Sequence, residues 1–303
     1  MMKLITVGTV AFDSIATPFE SREKVIGGAA TYISMAAAYL NGDCGVVSVV
    51  GDDFPEAFMN ELKSRGVDLA GLQIKEGEKS FHWSGKYHMD MNSRDTLATD
   101  LNVLATFEPN LPENYRDAEY VMLGNLVPAV QIAVLNQMNK RPKLVVLDTM
   151  NFWMDVARED LDKVFGMVDV VTINDEEARQ YTGERSLKKA AAKILTLGPK
   201  ALIIKKGEHG ALLFSQDEVF FAPAMLLDDV VDPTGAGDSF AGGFIGYLAK
   251  MNDTSFTSMK KAIVTGSAMA SFTCEDFGPD ALLKVTEEQL NARVNVFGEM
   301  VRV

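Results

Sequence analysis

Short apolar runs rich in β-branched residues alternate along the chain with longer segments in which apolar residues recur at helical spacing. The short runs are typical of buried strands, and the longer segments are typical of helices that connect parallel strands. This alternation favours an α/β fold around a mostly parallel sheet. Strands are predicted at residues 4–7, 46–50, 120–123, 144–147, 170–173 and 201–205. The clearest helices are predicted at 29–40, 55–65 and 175–181, each followed within two residues by a glycine that can end it.

Two polar, β-leaning segments, approximately 12–26 and 72–106, interrupt the alternation, and we expect them to form a small β-lid. The sequence contains no internal repeat and no linker-like tract, which favours one domain over residues 1–303. Within the second segment, Trp83-Ser84-Gly85-Lys86 is interpreted as a hairpin turn.

Three finer features are also predicted. The proposed turn would join strands at 80–83 and 86–91, and residues 91–110 would form a long surface connection. Residues 211–215 and 218–222 are predicted to form a second hairpin.

Composition narrows the classes of partner. The chain has 303 residues, 47% of them hydrophobic, and 29 Lys+Arg against 42 Asp+Glu give a formal net charge of −13. A chain this acidic repels phosphate backbones and anionic membranes, so we expect no nucleic-acid or membrane partner. Cys44 and Cys274 lie far apart without a metal-type or redox-type spacing, and no secretory signal or membrane-length apolar run is evident. These features predict a cytoplasmic protein with reduced thiols.

The clearest chemical pattern occupies residues 232–238, with the sequence Asp-Pro-Thr-Gly-Ala-Gly-Asp, directly before a helical segment. Such a turn lets backbone N–H groups at a helix N-terminus approach a phosphate closely. Asp238 would lie in the first turn beside that anion hole, where a carboxylate is unfavourable unless it handles a proton. The alternative is a glycine-rich turn whose acidic residue merely complements the helix dipole.

This stretch resembles the C-terminal signature of the ribokinase-like (PfkB) carbohydrate kinases, and weaker motifs occur in the family's order along nearly the whole chain. Gly27-Gly28 opening a helix is similar to the family's N-terminal Gly-Gly signature. Residues 174–177, Asn-Asp-Glu-Glu, are similar to its Asn-x-x-Glu motif, and residues 206–210, Lys-Gly-Glu-His-Gly, to its nucleotide-side turn. The resemblance implies a three-layer α/β/α sandwich with a β-lid, and transfer of the γ-phosphoryl group of ATP to a substrate hydroxyl.

The resemblance also implies roles for individual residues. Asp238 would be the general base, Asn174 and Glu177 would hold Mg²⁺ mainly through its waters, and Asp13 would bind the acceptor. The anion hole would be formed by Gly235, Ala236 and Gly237. The residues that bind the nucleotide would be Asn174, Lys206, Gly207, Gly210, Thr234, Gly235 and Gly237. The residues that bind the acceptor would be Asp13, Gly27, Gly28, Tyr32 and Asp238.

Several of these residues have structural alternatives. Asn174 could be an ordinary helix N-cap, residues 206–210 a strand-ending turn, and Asp13 a turn or capping residue. Gly27-Gly28 could simply admit a helix close to the sheet. Tyr32 stands where many sugar kinases of the family carry Asn, so it suggests either a ring stacked on a nucleoside base or a residue facing the core.

The sequence therefore predicts an ATP- and Mg²⁺-dependent kinase of a small sugar or sugar acid, with a nucleoside kinase as the alternative. A non-catalytic ligand sensor on the same fold is a third reading. A dinucleotide-binding oxidoreductase is disfavoured, because its glycine-rich fingerprint should follow the first strand rather than arrive near residue 235. We also expect a homodimer joined through the lid and consider a monovalent-cation site near Asp232.

Overall fold

The computed structural model describes residues 2–302 and contains a nine-stranded sheet, here called the large sheet. Its strand order is β13-β12-β11-β10-β9-β8-β1-β4-β5. The strands from β11 to β5 are parallel, and β12 and β13 continue one edge in antiparallel directions. The strands are β1 Leu4–Val7, β4 Cys44–Gly51, β5 Val67–Lys75, β8 Tyr120–Leu123, β9 Leu144–Asp148, β10 Val170–Asn174, β11 Ala201–Lys205, β12 Ala211–Ser215 and β13 Val219–Ala222.

Helices cover both faces of the large sheet. Alternate residues of its central strands feed two separate hydrophobic cores, as Leu4 and Ile5 of β1 show. One face carries α1 Ala29–Asn41, α2 Glu56–Ser64, α8 Ala236–Met251, α9 Phe256–Thr273, α10 Asp280–Leu283 and α11 Glu287–Met300. The other carries α3 Pro128–Asn136, α4 Asn151–Val156, α5 Arg158–Phe165, α6 Asp175–Thr182 and α7 Leu187–Leu195. The predicted three-layer α/β/α sandwich is confirmed.

The predicted regular elements agree well with the structure. Every strand predicted for the parallel sheet is present, and the helices predicted at 29–40, 55–65 and 175–181 match α1, α2 and α6 within two residues at each end. Strands β12 and β13 form the hairpin predicted at 211–222. The apolar runs were decisive here because parallel strands are buried on both faces.

A second sheet, here called the small sheet, has four strands in the order β3-β2-β6-β7. Its strands are β2 Ala11–Ala16, β3 Ser21–Gly27, β6 Phe81–Tyr87 and β7 Arg94–Asp100. Residues 72–75 belong instead to β5 of the large sheet. Residues 102–106 form a 3₁₀ turn, and its Val103 and Leu104 are buried in a hydrophobic core of the large sheet. Of the segment 72–106 predicted for the lid, only Phe81–Tyr87 and Arg94–Asp100 form strands of the small sheet.

The hairpin turn predicted at residues 83–86 is wrong, because β6 runs straight through it. Gly85 lies at a bulge in the pairing of β6 with β7, and a Cβ there would lie 2.0 Å from the ring of Trp83. This glycine therefore permits a bulge and a close ring contact rather than a reversal. The predicted surface connection at 91–110 is also wrong over Arg94–Asp100, since that stretch forms β7.

Within residues 2–302, no helix is both long and apolar enough to cross a membrane. Cys44 and Cys274 are free thiols.

Candidate active site

The candidate site lies where α8 begins, beside the carboxyl ends of β9, β10 and β11. Gly235 is the N-cap of α8, with φ 81°, and among the described residues no side chain caps this helix. We call this N-terminus the open first turn. The N–H of Ala236 donates to the carbonyl oxygen of Pro233 at 3.1 Å, but no acceptor from the described residues is found for the N–H groups of Gly237 and Asp238, so this N-terminus has the chemistry of an anion site.

Tyr32 of α1 lies directly against the open first turn. A Cβ on Gly235 would lie 2.4–2.5 Å from three atoms of the Tyr32 ring, so the face of the ring is turned toward Gly235. The hydroxyl of Tyr32 is buried and has no hydrogen-bond partner within residues 2–302. Burial raises the pKa of this phenol, and the nearby carboxylates of Asp13, Asp232 and Asp238 raise it further.

Asp238 lies in the first turn of α8, in a cleft that leaves it partly accessible to solvent. Desolvation, followed by the neighbouring charge of Asp148, raises its pKa to about 7, although Lys205 and Arg94 act in the opposite direction. A carboxylate with such a pKa can accept a proton near neutral pH.

Asp13 of β2 faces the same cleft from the small sheet and is 5% exposed. Gly27, the last residue of β3, makes room for it, since a Cβ at Gly27 would lie 1.9 Å from Asp13 Oδ2. Gly28 is the N-cap of α1 and donates a backbone hydrogen bond to Asp13. Burial, followed by the charge of Asp232, raises the pKa of Asp13 to about 7.

The loop before α8 connects the two sheets. Thr234 donates its backbone N–H to Asp232 Oδ1 at 2.9 Å, and its hydroxyl hydrogen-bonds to the Tyr87 hydroxyl at 3.1 Å. Asp232 is fully buried, and burial raises its pKa to about 6. Tyr87 is the last residue of β6, so the small sheet holds the loop in place.

Asn174 and Glu177 form a capping box at the start of α6. Asn174 Oδ1 accepts the N–H of Glu177 at 2.8 Å, and Glu177 Oε2 accepts the N–H of Asn174 at 2.8 Å. Burial raises the pKa of Glu177 to about 7; Lys205 lowers it and Asp148 raises it. The capping alternative for Asn174 is therefore realised in the structure, while the second carboxylate oxygen of Glu177 is not used by the cap.

The turn from Lys206 to Gly210 follows β11 at the same sheet edge. Lys206 accepts a hydrogen bond from the N–H of His209 and donates its own N–H to Gly210, closing a tight strand-ending turn. A Cβ on Gly207 would lie 2.5 Å from Asn92 Oδ1, so this turn touches the loop between β6 and β7. These residues lie beside the cleft but make no hydrogen bond to Asp238 within the part of the chain described.

The structure thus gathers Asp13, Gly27, Gly28, Tyr32 and the 232–238 loop around one cleft, with Asn174 and Glu177 on its far wall. The sequence analysis missed Asp148 and Lys205, which form an ion pair at 2.9 Å across the ends of β9 and β11. It also missed Tyr87 and Arg94 of the small sheet. Asp148 and Lys205 carried a usable signal, because Asp148 directly follows the strand predicted at 144–147 and Lys205 is the polar last residue of the strand predicted at 201–205.

Comparison with known proteins agrees with this geometry. Residues 2–285 match the model of the pfkB family of carbohydrate kinases. A cytidine kinase of Thermococcus kodakarensis is 33% identical over 254 residues, covering 82% of this chain and 89% of that protein. The chain therefore belongs to the PfkB family and is a kinase that phosphorylates an alcohol group.

Solved structures show the same fold. The nucleoside kinase of Methanocaldococcus jannaschii superposes with a TM-score of 0.77 at 22% identity, covering 97% of this chain and 99% of the other. The aminoimidazole riboside kinase of Salmonella enterica, solved with aminoimidazole riboside and an ATP analogue, gives 0.78 at 24% identity, with 96% and 99% covered. The predicted ribokinase-like fold is confirmed.

Proposed function

We propose that this kinase transfers the γ-phosphoryl group of ATP to a ribose hydroxyl of a nucleoside, with Asp238 as the general base. The observation that carries the proposal is the position of Asp238, in the open first turn and facing Asp13 across the cleft. The acceptor class follows from the relatives, whose names denote kinases of cytidine, of nucleosides and of aminoimidazole riboside.

In the proposed reaction, the proton of the acceptor hydroxyl passes to Asp238 as the hydroxyl oxygen attacks the γ-phosphorus. The bond between the γ-phosphorus and its bridging oxygen breaks, and ADP leaves. The N–H groups of Gly235, Ala236 and Gly237 would stabilise the charge on the phosphoryl oxygens, with the N–H of Ala236 exchanging its bond to the carbonyl oxygen of Pro233 for one to phosphate.

The remaining cleft residues would bind either the acceptor or the nucleotide. Asp13, with Gly27 and Gly28 beside it, would bind acceptor hydroxyls. Thr234 would contact the nucleotide phosphates, and the turn containing Lys206, Gly207 and Gly210 would border the nucleotide.

Tyr32 is 1% exposed and its ring face is turned to Gly235, so any contribution to acceptor choice would act through its contact with the 232–238 loop and its buried hydroxyl rather than by stacking on the acceptor. Tyr32→Phe removes only that hydroxyl. It should change the relative kcat/KM among acceptors while the KM for ATP stays constant, and equal effects on every acceptor would return Tyr32 to a packing role.

The donor set fits Mg²⁺ held through water. Within residues 2–302 there is no cluster of three or more His, Cys, Asp or Glu side chains that could hold a metal directly. Glu177 nevertheless presents a buried carboxylate oxygen beside Asp148, and Mg²⁺ bound to ATP keeps most of its water ligands. Asn174 and Glu177 would hold the ion, which neutralises phosphate charge when bound.

Asp232 would suit a monovalent cation, since its buried carboxylate has two backbone donors, Thr234 and Gly278, but no cationic side chain among the groups that shift its pKa. Titration of the rate with K⁺ in a tetraalkylammonium buffer tests this, and a rate independent of K⁺ would contradict it.

A sugar acid is the second candidate acceptor, and Arg94 supports it. This residue lies at the start of β7 and acts electrostatically on both Asp13 and Asp238, so its guanidinium could pair with an acceptor carboxylate.

The test is an ADP-release screen of the wild type against cytidine and other nucleosides, ribose and other neutral sugars, and sugar acids. We expect the highest kcat/KM with a nucleoside. If a sugar acid is preferred and Arg94→Gln removes that preference, the second candidate replaces the first. A fall in turnover of about 100-fold or more in Asp238→Asn controls for contaminating kinases.

We also propose that a homodimer forms through the small sheet. Phe19, Met89 and Leu97 are 72%, 72% and 62% exposed in or beside its strands, and strand β7 is an open edge of this sheet. Sedimentation showing only monomer at micromolar concentration and above would contradict this.

A further inference from the structure

The ion pair between Lys205 and Asp148 has no role in the reaction as described above. The Nζ atom of Lys205 lies 3.0 and 2.9 Å from the two carboxylate oxygens of Asp148, and the side chains are 19% and 7% exposed. A pair this buried carries a large desolvation cost and is a poor source of stability. Its position in the fold therefore needs another explanation.

The ammonium group of Lys205 lies against the open first turn. A Cβ on Gly237 would lie 3.1 Å from Nζ, so the glycine leaves the space that the lysine occupies. The ammonium and the N-terminus of α8 are both electropositive. Two positive elements directed at one place favour an anion between them.

Charge balance in the cleft supports the same conclusion. Asp13, Asp148, Glu177 and Asp238 would all repel the phosphates of ATP, whereas Lys205 and Arg94 are the cations that act on Asp238. Burial by itself lowers the pKa of Lys205, but Asp148, Glu177 and Asp238 outweigh it and raise the pKa, so the group stays charged.

We propose that Lys205 is a further catalytic residue that contacts the transferred phosphoryl group, and that Asp148 is the positioning residue that holds it there. The proposal rests on the proposed phosphoryl transfer. Because both carboxylate oxygens hold Nζ before ATP binds, the ammonium needs little reorganisation when charge develops on the phosphoryl oxygens. Asp148 is itself held by the N–H of Thr149 at 3.1 Å.

The competing explanation is that the pair only joins β9 to β11. Lys205→Met alone does not separate the two, because it leaves Asp148 buried without a partner and can unfold the protein. The double variant Lys205→Met/Asp148→Asn removes both charges, keeps the net charge of the wild type and leaves neither member of the pair as an unpartnered ion. Thermal unfolding establishes that it is folded before kinetics are measured.

A control ion pair lies at the opposite edge of the sheet. Lys200 Nζ lies 3.0 Å from Asp169 Oδ1, just before β11 and β10 respectively. Lys200 is 80% exposed and Asp169 also pairs with Arg141, so Lys200→Met controls for loss of a lysine far from the open first turn. Its kcat should equal that of the wild type.

With an acceptor that the wild type phosphorylates, kcat in the double variant should fall by about 100-fold or more, as for loss of one oxyanion-stabilising group. A kcat of the double variant within about threefold of the wild-type value would overturn the proposal, since an ion pair with only a structural role tolerates replacement by neutral residues.

If the wild type phosphorylates none of the acceptors screened, the proposed function fails and a binding experiment decides the role of Lys205 independently. Calorimetric titration with Mg·ATP and Mg·ADP, without acceptor, should show a loss of ATP affinity of about tenfold in the double variant, with ADP affinity within about twofold. An unchanged ratio of the two affinities would overturn the proposal.

Discussion

Helices α6 and α8 both begin at the cleft, and their first turns are completed in different ways. At α6, the side chains of Asn174 and Glu177 satisfy each other's backbone N–H groups. At α8, Gly235 has no side-chain acceptor to offer, and among the described residues only the carbonyl oxygen of Pro233 accepts an N–H of the first turn, that of Ala236. The capped helix is complete without a ligand, whereas the open one acquires acceptors when a phosphate binds. Helices α2, α3, α5 and α7 also lack a side-chain cap, so what distinguishes the start of α8 is its position beside Lys205 at the carboxyl ends of the parallel strands.

The largest effect should come from Asp238→Asn, which keeps the size of the side chain but removes the proton acceptor from the open first turn. We expect kcat to fall about 10²–10⁴-fold, because this is the usual contribution of a general base. ATP affinity should stay the same or rise, since a negative charge leaves the phosphate site. Paired kinetics and ATP titration measure both quantities.

The pH profile provides the control for this variant. With the Asp238 pKa raised to about 7, wild-type kcat/KM should rise with pH through that value, and the rise should be shallower in Asp238→Asn, where Asp13 and Glu177 still titrate in the same range. Glu287→Gln, which changes a first-turn acid of α11, should behave as the wild type. Near-normal kcat in Asp238→Asn would show that the loop only binds.

Gly235→Ala should have the next largest effect. Both Gly235 and Gly183, which ends α6, have positive φ, but a Cβ on Gly235 meets the Tyr32 ring while a Cβ on Gly183 meets nothing within 4 Å. Gly183→Ala should cost about 1 kcal/mol from backbone strain and leave kcat intact. Gly235→Ala should cost more and lower kcat about tenfold or more, because the ring or the loop must move. If the two variants have the same unfolding curves and kinetics, the contact between Tyr32 and Gly235 does not hold the loop in place.

Asn174→Ala opens the capped helix and should have a smaller effect. Loss of the cap should lower the free energy of unfolding by about 1 kcal/mol. Thr286→Ala removes the equivalent cap from the capping box of α11 and should cost a similar amount. Only Asn174→Ala should raise the Mg²⁺ concentration needed for the half-maximal rate, and identical Mg²⁺ curves for the two variants would leave Asn174 as a cap alone.

The smallest effect is expected from Glu177→Gln, which preserves the cap, as Gln289 does in α11. Folding raises the pKa of Glu177 from 4.5 to about 7, so the folded state binds this proton more tightly than the unfolded state. The stability associated with the protonated group is present below about pH 4.5 and lost as pH rises through 7. Glu177→Gln should therefore melt a few degrees above the wild type at pH 8 and level with it at pH 4. A lower melting temperature at pH 8 would mean that a cation already compensates the charge.

The predictability of the fold differed between its two sheets. Parallel strands such as 201–205 were located correctly because burial on both faces makes them continuous apolar runs. Strand β7 was missed because nearly every residue from Arg94 to Asp100 is exposed, and an exposed strand leaves no hydrophobic periodicity. The hairpin turn predicted at residues 83–86 was wrong for a similar reason, since the role of Gly85 depends on the Trp83 ring and on a bulge in the pairing of β6 with β7.

The layered α/β architecture and the glycine-rich turn at 232–238 could be predicted from contiguous residues, because each pattern has a local physical cause, and the order of the motifs along the chain was enough to suggest the kinase family. Three relations appear only in the folded molecule: α8 begins without a side-chain cap beside Lys205, Asp148 reaches this lysine across β10, and the ring of Tyr32 is turned to Gly235. These relations join residues far apart in the chain. They depend on strand order and on where the sheet edge brings strand ends together, and no local pattern encodes either.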